Sequence, residues 1–248
     1  MNPVDASIVM VLQDEGRRAY PAIVSALKAI ETAEGLGIGS ELVLVLDRTD
    51  DATLRYVKRY RHQNRVRLLA VDCGDLGVAR NEGISHSRGC WVSVMTPMQR
   101  MCDNWVVDAV RRMKEISKEQ IARPEYLVVV GSRHWVQRLI HSCSAEFPMG
   151  SLLVEHVYRT GFCCGPKQVF ENFRYPAVQE PMEAETIDWY WTCETLAGGI
   201  RHVVVPQTVL FVHDPEGVSV ENRSVDGHSA LLQASVFFES DIWKSVVG

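Results

Sequence analysis

The chain has 248 residues, which is enough for one large globular domain with its own hydrophobic core. Hydrophobic residues make up 46% of the sequence and charged residues 23%, and this composition excludes a disordered chain. The net charge is −5 at pH 7 and no basic stripe is evident, so we expect no nucleic-acid partner. No apolar run approaches the roughly 20 residues that span a bilayer, so we expect no transmembrane segment.

The cysteines and the amino terminus favour a cytoplasmic protein. The seven cysteines are odd in number and include no C-x-x-C pair, so we interpret them as reduced thiols. The amino terminus carries Asp5 and only a short apolar stretch, which is not typical of a signal peptide. A peripheral position at the inner face of the membrane stays open as an alternative.

Short apolar runs alternate with helical patterns in the first half of the chain. The runs predict strands buried on both faces of a parallel sheet, namely Ala6–Leu12, Glu41–Leu46, Val66–Val71 and Cys90–Met95. Between them, the spacing predicts a helix with Pro21 in its first turn, a second opened by Asp50 and Asp51, and a third over Val78–Ser87. This alternation predicts a doubly wound, mostly parallel α/β sheet.

The second half of the chain is less regular. An amphipathic helix is predicted to begin near Asp103. A final apolar helix is also predicted, and we expect it to pack on the domain or on a second copy of the chain, as in a homodimer. The predicted strands between these two helices are Tyr126–Val130, Leu152–Tyr158, His202–Val205 and Thr208–Val212, the last two separated by Pro206. A helix is predicted over Glu185–Leu196, and the final helix spans Leu231–Val246. No linker or repeat is evident, so we expect a single domain.

Polar residues follow each of the first four predicted strands, where open α/β sheets bind their ligands. They are Gln13-Asp14-Glu15, Asp47 to Asp51, Asp72 with the turn Gly74 to Gly77, and Thr96-Pro97-Met98-Gln99. Acidic groups at one sheet edge predict a polar ligand. We expect Asp47 to contact it, whereas Asp50 and Asp51 are better explained as helix caps. Phosphate-binding, zinc-binding and serine-nucleophile motifs are absent from the sequence, which disfavours the enzyme classes that need them.

Three segments, in this order and spacing, resemble family 2 glycosyltransferases of the GT-A type. Ser7 to Glu15 is similar to their opening strand and Y-N-E turn, Glu41 to Thr53 to their E-I-I-V-V-D-D-x-S-x-D-x-T segment, and Gly77 to Ile84 to their G-x-x-x-A-R-N-x-G-I stretch. Weaker likenesses follow at Gly161 to Cys164, Ile187-Asp188-Trp189, Ala197 to Gly199 and Val203 to Pro206, with His213 where many members have a late histidine.

The resemblance implies a GT-A fold and transfer of a sugar, usually with inversion, from a nucleotide-sugar donor to the hydroxyl of a carbohydrate or glycolipid acceptor in surface polysaccharide synthesis. Residues 1–100 would then be a nucleotide-binding half, 101–215 an acceptor half and 216–248 a C-terminal helical extension. Asp14 or Glu15 and Asp47 would contact the nucleobase or ribose, and Arg80 would lie near the nucleotide. Asp188 would be the general base that takes the acceptor's proton. Without the resemblance, Asp188 would be interpreted as a solvated helix residue.

The family's metal-binding D-x-D motif is replaced here by Thr96-Pro97-Met98, followed by Gln99. A thioether is a poor ligand for Mg²⁺ or Mn²⁺, so Thr96 and Gln99 are the polar groups left to contact the donor, and a divalent metal is doubtful. His213, with Asp214, is the remaining metal candidate, and we expect no tightly bound ion.

Two outcomes are compatible with this departure from the family's pattern. Either basic residues stabilise the leaving diphosphate without a metal, or activity is weak or absent. The candidate cations are Arg80, Arg100, Arg133 and Lys167. A non-catalytic module that binds nucleotides or glycans is therefore the alternative function. A nucleotidyltransferase is a more distant one, because the first turn lacks a basic glycine-rich loop.

Overall fold

The computed structural model describes residues 3–115, 120–132, 134–178, 184–214, 231 and 234–239. The strands are β1 (Ala6–Leu12), β2 (Ser40–Asp47), β3 (Val66–Val71), β4 (Trp91–Met95), β5 (Gln99–Met101), β6 (Gln120–Gly131), β7 (Trp135–Arg138), β8 (Cys163–Pro166) and β9 (Arg201–Asp214). The helices are α1 (Tyr20–Gly35), α2 (Asp51–Val57), α3 (Leu76–His86), α4 (Trp105–Glu115), α5 (Lys167–Asn172), α6 (Ala184–Ala197) and α7 (Val236–Glu239).

The nine strands of the described residues belong to one sheet, in which β3, β2, β1, β4, β8, β6, β9 and β5 lie side by side and β7 pairs with β6. The first four strands along that order are parallel. Strand β8 is antiparallel to both β4 and β6, whereas β6 and β9 are parallel over a long register. The sheet is therefore the expected parallel α/β sheet in its first half and mixed in its second half.

Alternation along the buried strands sends side chains into two separate cores. From β1, Ile8, Met10 and Leu12 pack under α1, α2 and α4 on one face of the sheet. Val9 and Val11 pack on the other face, under α3, α5 and α6. Both faces are covered, which explains why the inner strands are continuously apolar.

The predicted elements of the first half are confirmed within one or two residues at their ends. Pro21 lies in the first turn of α1. The side chain of Asp50 caps α2, with Oδ1 accepting a hydrogen bond of 2.8 Å from the Thr53 amide. The helices predicted from Asp103 and over Glu185–Leu196 are observed as α4 and α6.

Two predictions in the second half are wrong. Leu152–Tyr158 is not a strand: Met149–Leu153 forms a 3-10 turn, and Leu152 and Tyr158 are apolar because they are buried in a third core cluster beside α6. The two strands expected on either side of Pro206 are one strand, β9. A register shift against β6 at Pro124/Tyr126, with a positive φ of 61° at Gln207, accommodates the proline.

Most of the predicted helix Leu231–Val246, and of the extension 216–248, lies outside the described residues. Within α7, Phe237 is buried in the third core cluster, and Ser235 just before it donates a hydrogen bond of 2.7 Å to Glu194 of α6. Among the described residues, no helix has both the length and the apolar character that crossing a membrane requires.

Candidate active site

Helix α3 carries the motif Gly77 to Ile84, and the structure gives a physical reason for most of its residues. Asp75 caps the helix by accepting a 2.7 Å hydrogen bond from the Val78 amide. A Cβ at Gly77 would overlap the carbonyl of Pro176, and a Cβ at Gly83 would overlap valine side chains of the sheet. Asn81 exchanges two hydrogen bonds with the backbone of Tyr175. The helix is thereby held closely on the sheet and against the segment that follows α5.

Arg80 of this motif forms a buried ion pair with Asp188 of α6. Its Nη1 atom donates to Asp188 Oδ1 at 2.5 Å, and the two side chains are only 2% and 4% exposed. The predicted nucleotide-side arginine and the predicted base, 108 positions apart, therefore lie in direct contact. Removing one partner of such a pair leaves an uncompensated buried charge, so each residue depends on the other.

Gly161 lies directly beside the carboxylate of Asp188. A Cβ at this position would overlap the Asp188 carboxylate, so only glycine fits there without displacement. Burial raises the pKa of Asp188, and the charge and hydrogen bond of Arg80 oppose that rise. A carboxylate with a raised pKa is a stronger base, which suits the role predicted for Asp188.

A second buried arginine, Arg123 of β6, fastens the segment that contains Gly161. Its Nη1 atom donates to the carbonyls of Thr160 and Phe162, at 2.8 and 3.2 Å. Its Nη2 atom donates to Thr192 Oγ1 and its Nε atom to His202 Nδ1. Arg123 forms no ion pair with a carboxylate among the described residues. The sequence analysis missed this residue, because its partners come from distant parts of the chain.

The histidine beside Arg123 is neutral. Burial, followed by the charge of Arg123, holds the pKa of His202 well below its usual value. Neutral imidazole leaves Nδ1 free to accept the hydrogen bond from Arg123. We call Arg80, Asp188, Arg123, Thr192 and His202 the buried arginine network.

Asp47 lies at the carboxyl end of β2, as predicted, but it is fully buried and its carboxylate is already bonded. It accepts hydrogen bonds from the amides of Cys73 and Gly74 at 2.8 to 3.1 Å and a weaker one from Gln13. In the structure Asp47 thus holds the β3–α3 turn against the end of β2. The predicted contact of Asp47 with a ligand stays a prediction.

Asp14 and Glu15 lie where β1 ends. Asp14 is exposed, whereas Glu15 is half-buried and its Oε2 atom accepts a 2.8 Å hydrogen bond from the Gln13 amide. Burial raises the pKa of Glu15, and that hydrogen bond opposes the rise. Of the two residues, Asp14 has the carboxylate that faces solvent at the sheet edge.

The turn after β4 contains the replaced D-x-D motif. Gln99 is buried, and both ends of its amide are bonded: Oε1 accepts from the Thr96 amide at 2.9 Å and Nε2 donates to Thr160 Oγ1 at 3.0 Å. Gln99 therefore connects this turn to the segment that contains Gly161. Thr96 remains half-buried at the carboxyl end of β4.

The cations proposed to replace the metal lie in different places. Arg80 is occupied by Asp188, and Lys167 donates to the carbonyls of Ser85 and Ser87 near the start of β4, away from the carboxyl ends of the parallel strands. Arg133 lies outside the described residues. Arg100 is exposed on β5 beside Met98 and the late histidine His213.

The divalent metal that the family resemblance implies does not fit the donor groups of this turn. Thr96, Pro97 and Met98 offer no carboxylate, and the amide of Gln99 is already bonded at both ends. Within the described residues, which include His213 and Asp214, no group of three or more His, Cys, Asp or Glu side chains could hold a metal ion.

Glu185 is a further acidic residue that the sequence analysis did not identify. It lies three residues before Asp188 on α6, so both side chains share one face of the helix. Burial, together with the charges of Asp188 and Asp214, raises the pKa of Glu185 to about 7, against the opposing charge of Arg159. The signal in the sequence was the three-residue spacing from Asp188.

The two tryptophans beside Asp188 are core residues. The indole nitrogen of Trp189 donates to the Leu152 carbonyl and that of Trp191 to the Phe173 carbonyl. Trp135 is half-buried on β7, with the guanidinium of Arg159 5.9 Å from its ring centre. Of the three tryptophans considered for stacking on a sugar, only Trp135 keeps part of its ring accessible.

Comparison with known proteins agrees with this architecture. The model of glycosyl transferase family 2 matches residues 7–172. No curated protein matches the chain. Solved structures of S. aureus TarS 1-349 superpose with TM-scores of 0.70 for the complex with UDP-GlcNAc and 0.65 for the complex with UDP. Their sequences are 16% and 15% identical to this one, over 92% and 85% of this chain, and the chain spans 64% and 61% of theirs.

The fold is of the GT-A type. Because the family model covers well over half of its length, the chain belongs to glycosyl transferase family 2. The solved structures, at their low identity, add that its fold is shared with TarS.

Proposed function

We propose that the protein transfers a sugar from a nucleotide-sugar donor to an acceptor hydroxyl, by a single displacement that inverts the anomeric carbon and needs no tightly bound metal. The observation that carries this proposal is the Arg80–Asp188 pair, buried at the edge where the parallel strands end. The complexes of the structural neighbour TarS with UDP-GlcNAc and UDP support a nucleotide-sugar donor.

In the proposed step, the acceptor oxygen forms a bond to the anomeric carbon of the donor sugar. The bond from that carbon to the diphosphate breaks, and its electron pair stays on the diphosphate oxygen. The hydroxyl proton passes to the carboxylate of Asp188, whose raised pKa makes it a stronger base than an exposed aspartate. Arg80 holds this carboxylate in place. Gly161 has no side chain, so it leaves room beside Asp188 for the acceptor.

The nucleoside is proposed to lie over the carboxyl ends of β1 and β2. Asp14 is the exposed carboxylate there and suits hydrogen bonding to ribose or base. Asp47 acts indirectly in this proposal, because it fixes the β3–α3 turn that forms the adjacent wall. Glu15 likewise shapes the β1 turn through its bond to the Gln13 amide.

The acceptor is proposed to be a carbohydrate or glycolipid in surface polysaccharide synthesis, on the strength of the family resemblance. Trp135 offers an aromatic face on which a sugar ring could stack, as sugar C–H groups pack on indoles. The seven free thiols support a reaction in the cytoplasm.

Release of nucleoside diphosphate from a panel of nucleotide sugars tests the proposal, with wild-type protein and Asp188→Asn assayed in EDTA. We expect the wild type to turn over at least one donor and Asp188→Asn to lose that turnover. Binding of the donor without turnover by the wild type would instead favour the non-catalytic module. Full turnover by Asp188→Asn would exclude Asp188 as the base.

A further inference from the structure

An open cleft of about 690 Å³ lies beside the turn that replaces the metal-binding motif. Its residues come from the loop after β1, from the turn after β4 and from the end of β9. We call it the arginine groove, and it is lined by Arg17, Arg18, Tyr20, Pro21, Pro97, Met98, Arg100 and His213.

The groove lies at the point where the strand order reverses. Strands β2 and β3 lie on one side of β1, whereas β4 pairs with the other side, with Met10 opposite Met95. The chain segments after β1 and β4 therefore diverge and leave a crevice between them at the carboxyl edge. Ligands of open α/β sheets bind at this kind of switch point.

The charge of the groove suits an anion. Arg17, Arg18 and Arg100 are all exposed, and no carboxylate of the described residues lines the groove. None of the three arginines forms an ion pair with a carboxylate in the part of the chain that the structure describes. Within the described residues, the side chain of Arg18 makes only long hydrogen bonds of 3.4 Å, to the backbone carbonyls of Asp14 and Glu15.

Helix α1 adds to this charge. It begins at Tyr20, on the wall of the groove, with no acidic residue in its first turn and no side-chain cap. The amino end of a helix carries partial positive charge and favours anions such as phosphate. The helix end contributes only its dipole, because the Tyr20 amide already donates to the Arg17 carbonyl and Pro21 has no N–H. The arginine side chains are therefore the main feature of the groove that favours an anionic ligand.

We propose that the arginine groove binds the diphosphate of the donor and takes the place of the metal ion, with Arg100 and Arg18 as its principal ligands. This inference rests on the proposed function. As the bond to the sugar breaks, the electron pair and the added negative charge move onto the diphosphate, and guanidinium groups stabilise that charge without a cation bridge. The replacement of the D-x-D carboxylates after β4 agrees with this proposal, because carboxylates at that turn would repel the diphosphate in the absence of a metal.

Binding of UDP and of inorganic pyrophosphate, measured by calorimetry in EDTA and again with Mn²⁺, tests the inference. Pyrophosphate makes the result independent of the nucleobase. Because hydrogen bonds to charged groups contribute a factor of roughly ten or more in affinity, we expect Arg100→Gln and Arg18→Gln each to weaken UDP and pyrophosphate binding about tenfold. Arg100→Lys, which keeps the charge, should recover part of that loss.

Arg61→Gln is the matched control. Arg61 is exposed, and it lies between α2 and the start of β3, at the opposite edge of the sheet from the groove. The Arg61→Gln variant should bind UDP with the affinity of the wild type. Uridine is the matched ligand control, since it lacks phosphates and its affinity should not change in the arginine variants.

The outcomes separate this inference from the proposed function. If UDP binds but Mn²⁺ strengthens binding more than tenfold, or if Arg100→Gln and Arg18→Gln bind it unchanged, the groove is not the diphosphate site and the function can still stand. If neither UDP, other nucleoside diphosphates nor pyrophosphate bind under either condition, both proposals are overturned.

Discussion

Arginines occupy two contrasting regions of this protein. In the buried arginine network, Arg80 and Arg123 are withdrawn from solvent, and their hydrogen bonds go to the protein itself. In the arginine groove, Arg17, Arg18 and Arg100 are exposed and line a cleft to which the described part of the chain contributes no carboxylate. Both regions lie on the carboxyl side of the central strands, and Gln99 and Thr160 link them.

The comparison teaches that the same side chain serves two purposes according to its surroundings. A buried guanidinium must satisfy its donors within the fold, because an unpaired buried charge is strongly destabilising. An exposed guanidinium keeps its donors for a ligand. Substitutions in the network should therefore lower stability as well as activity, whereas substitutions in the groove should lower binding alone.

The largest effect is expected for Asp188→Asn. Loss of a general base lowers turnover by roughly 10²- to 10⁴-fold, and the unpaired Arg80 should also destabilise the fold. Turnover of the donor and urea unfolding together separate the two effects. If Asp188→Asn kept both the stability and the turnover of the wild type, the Arg80–Asp188 pair would have neither a structural nor a catalytic role.

Arg123→Met should mainly lower stability. It leaves the carbonyls of Thr160 and Phe162 without their donor, and each unsatisfied buried group costs about 1–3 kcal/mol. We therefore expect a loss on the order of 2–4 kcal/mol in the free energy of unfolding by urea. The control Arg61→Gln should change it by less than about 0.5 kcal/mol. An equal, small effect in both variants would contradict the assigned role of Arg123.

Gly161→Ala tests, with a single methyl group, how closely the Asp188 carboxylate of the buried arginine network must be positioned. The added Cβ must displace the Asp188 carboxylate, and misplacement of a catalytic group by about 1 Å can lower turnover about 100-fold. Gly150→Ala is the control, because its Cβ would meet no atom within 4 Å. Comparable turnover in the two variants would show that the position of Asp188 does not limit the reaction.

Glu185→Gln should change the pH dependence of stability. Because its pKa is raised from 4.5 to about 7, the folded protein holds this proton more tightly than the unfolded chain does. The resulting stability is present below pH 4.5 and is lost as the pH rises to about 7. Glu185→Gln should therefore reduce the fall in unfolding free energy between pH 5 and 8, by on the order of 2 kcal/mol.

Urea unfolding at several pH values measures this difference. The neutral buried histidines His156 and His202 shift stability in the opposite sense as the pH falls, but they are present in both proteins and cancel in the comparison. Parallel profiles for wild type and Glu185→Gln would show that Glu185 has an ordinary pKa.

The smallest effect on stability is expected in the groove. Arg100→Gln and Arg18→Gln remove exposed side chains that form no ion pair in the described residues, so the free energy of unfolding should change by less than about 0.5 kcal/mol. If the free energy of unfolding fell by several kcal/mol in either variant, the groove arginines would be structural like those of the buried arginine network, which would contradict the comparison.

Much of this architecture could be predicted from local pattern. Continuous apolar runs identified the parallel strands, and Asp50 was correctly interpreted as a helix cap, since both signals depend on neighbouring residues. The family motifs assigned Arg80 and Asp188 to the same predicted site, and the structure places the two side chains in contact.

The remaining features depend on tertiary contacts that no local pattern encodes. The sequence did not show that a turn 26 residues away supplies two amides to the carboxylate of Asp47. The role of Arg123 follows from partners in α6, β9 and the segment before β8. Arg17 and Arg18 join Arg100 only because β1 and β4 are neighbours in the sheet.

A crystal structure of the complex with UDP, grown in EDTA, tests the central claim most directly. We expect the diphosphate at the turn Thr96–Met98, within hydrogen-bonding distance of Arg100 and Arg18, with the ribose toward Asp14 and no metal ion. A nucleotide bound away from the carboxyl ends of β1 and β4, or a diphosphate that does not touch these arginines, would contradict the account.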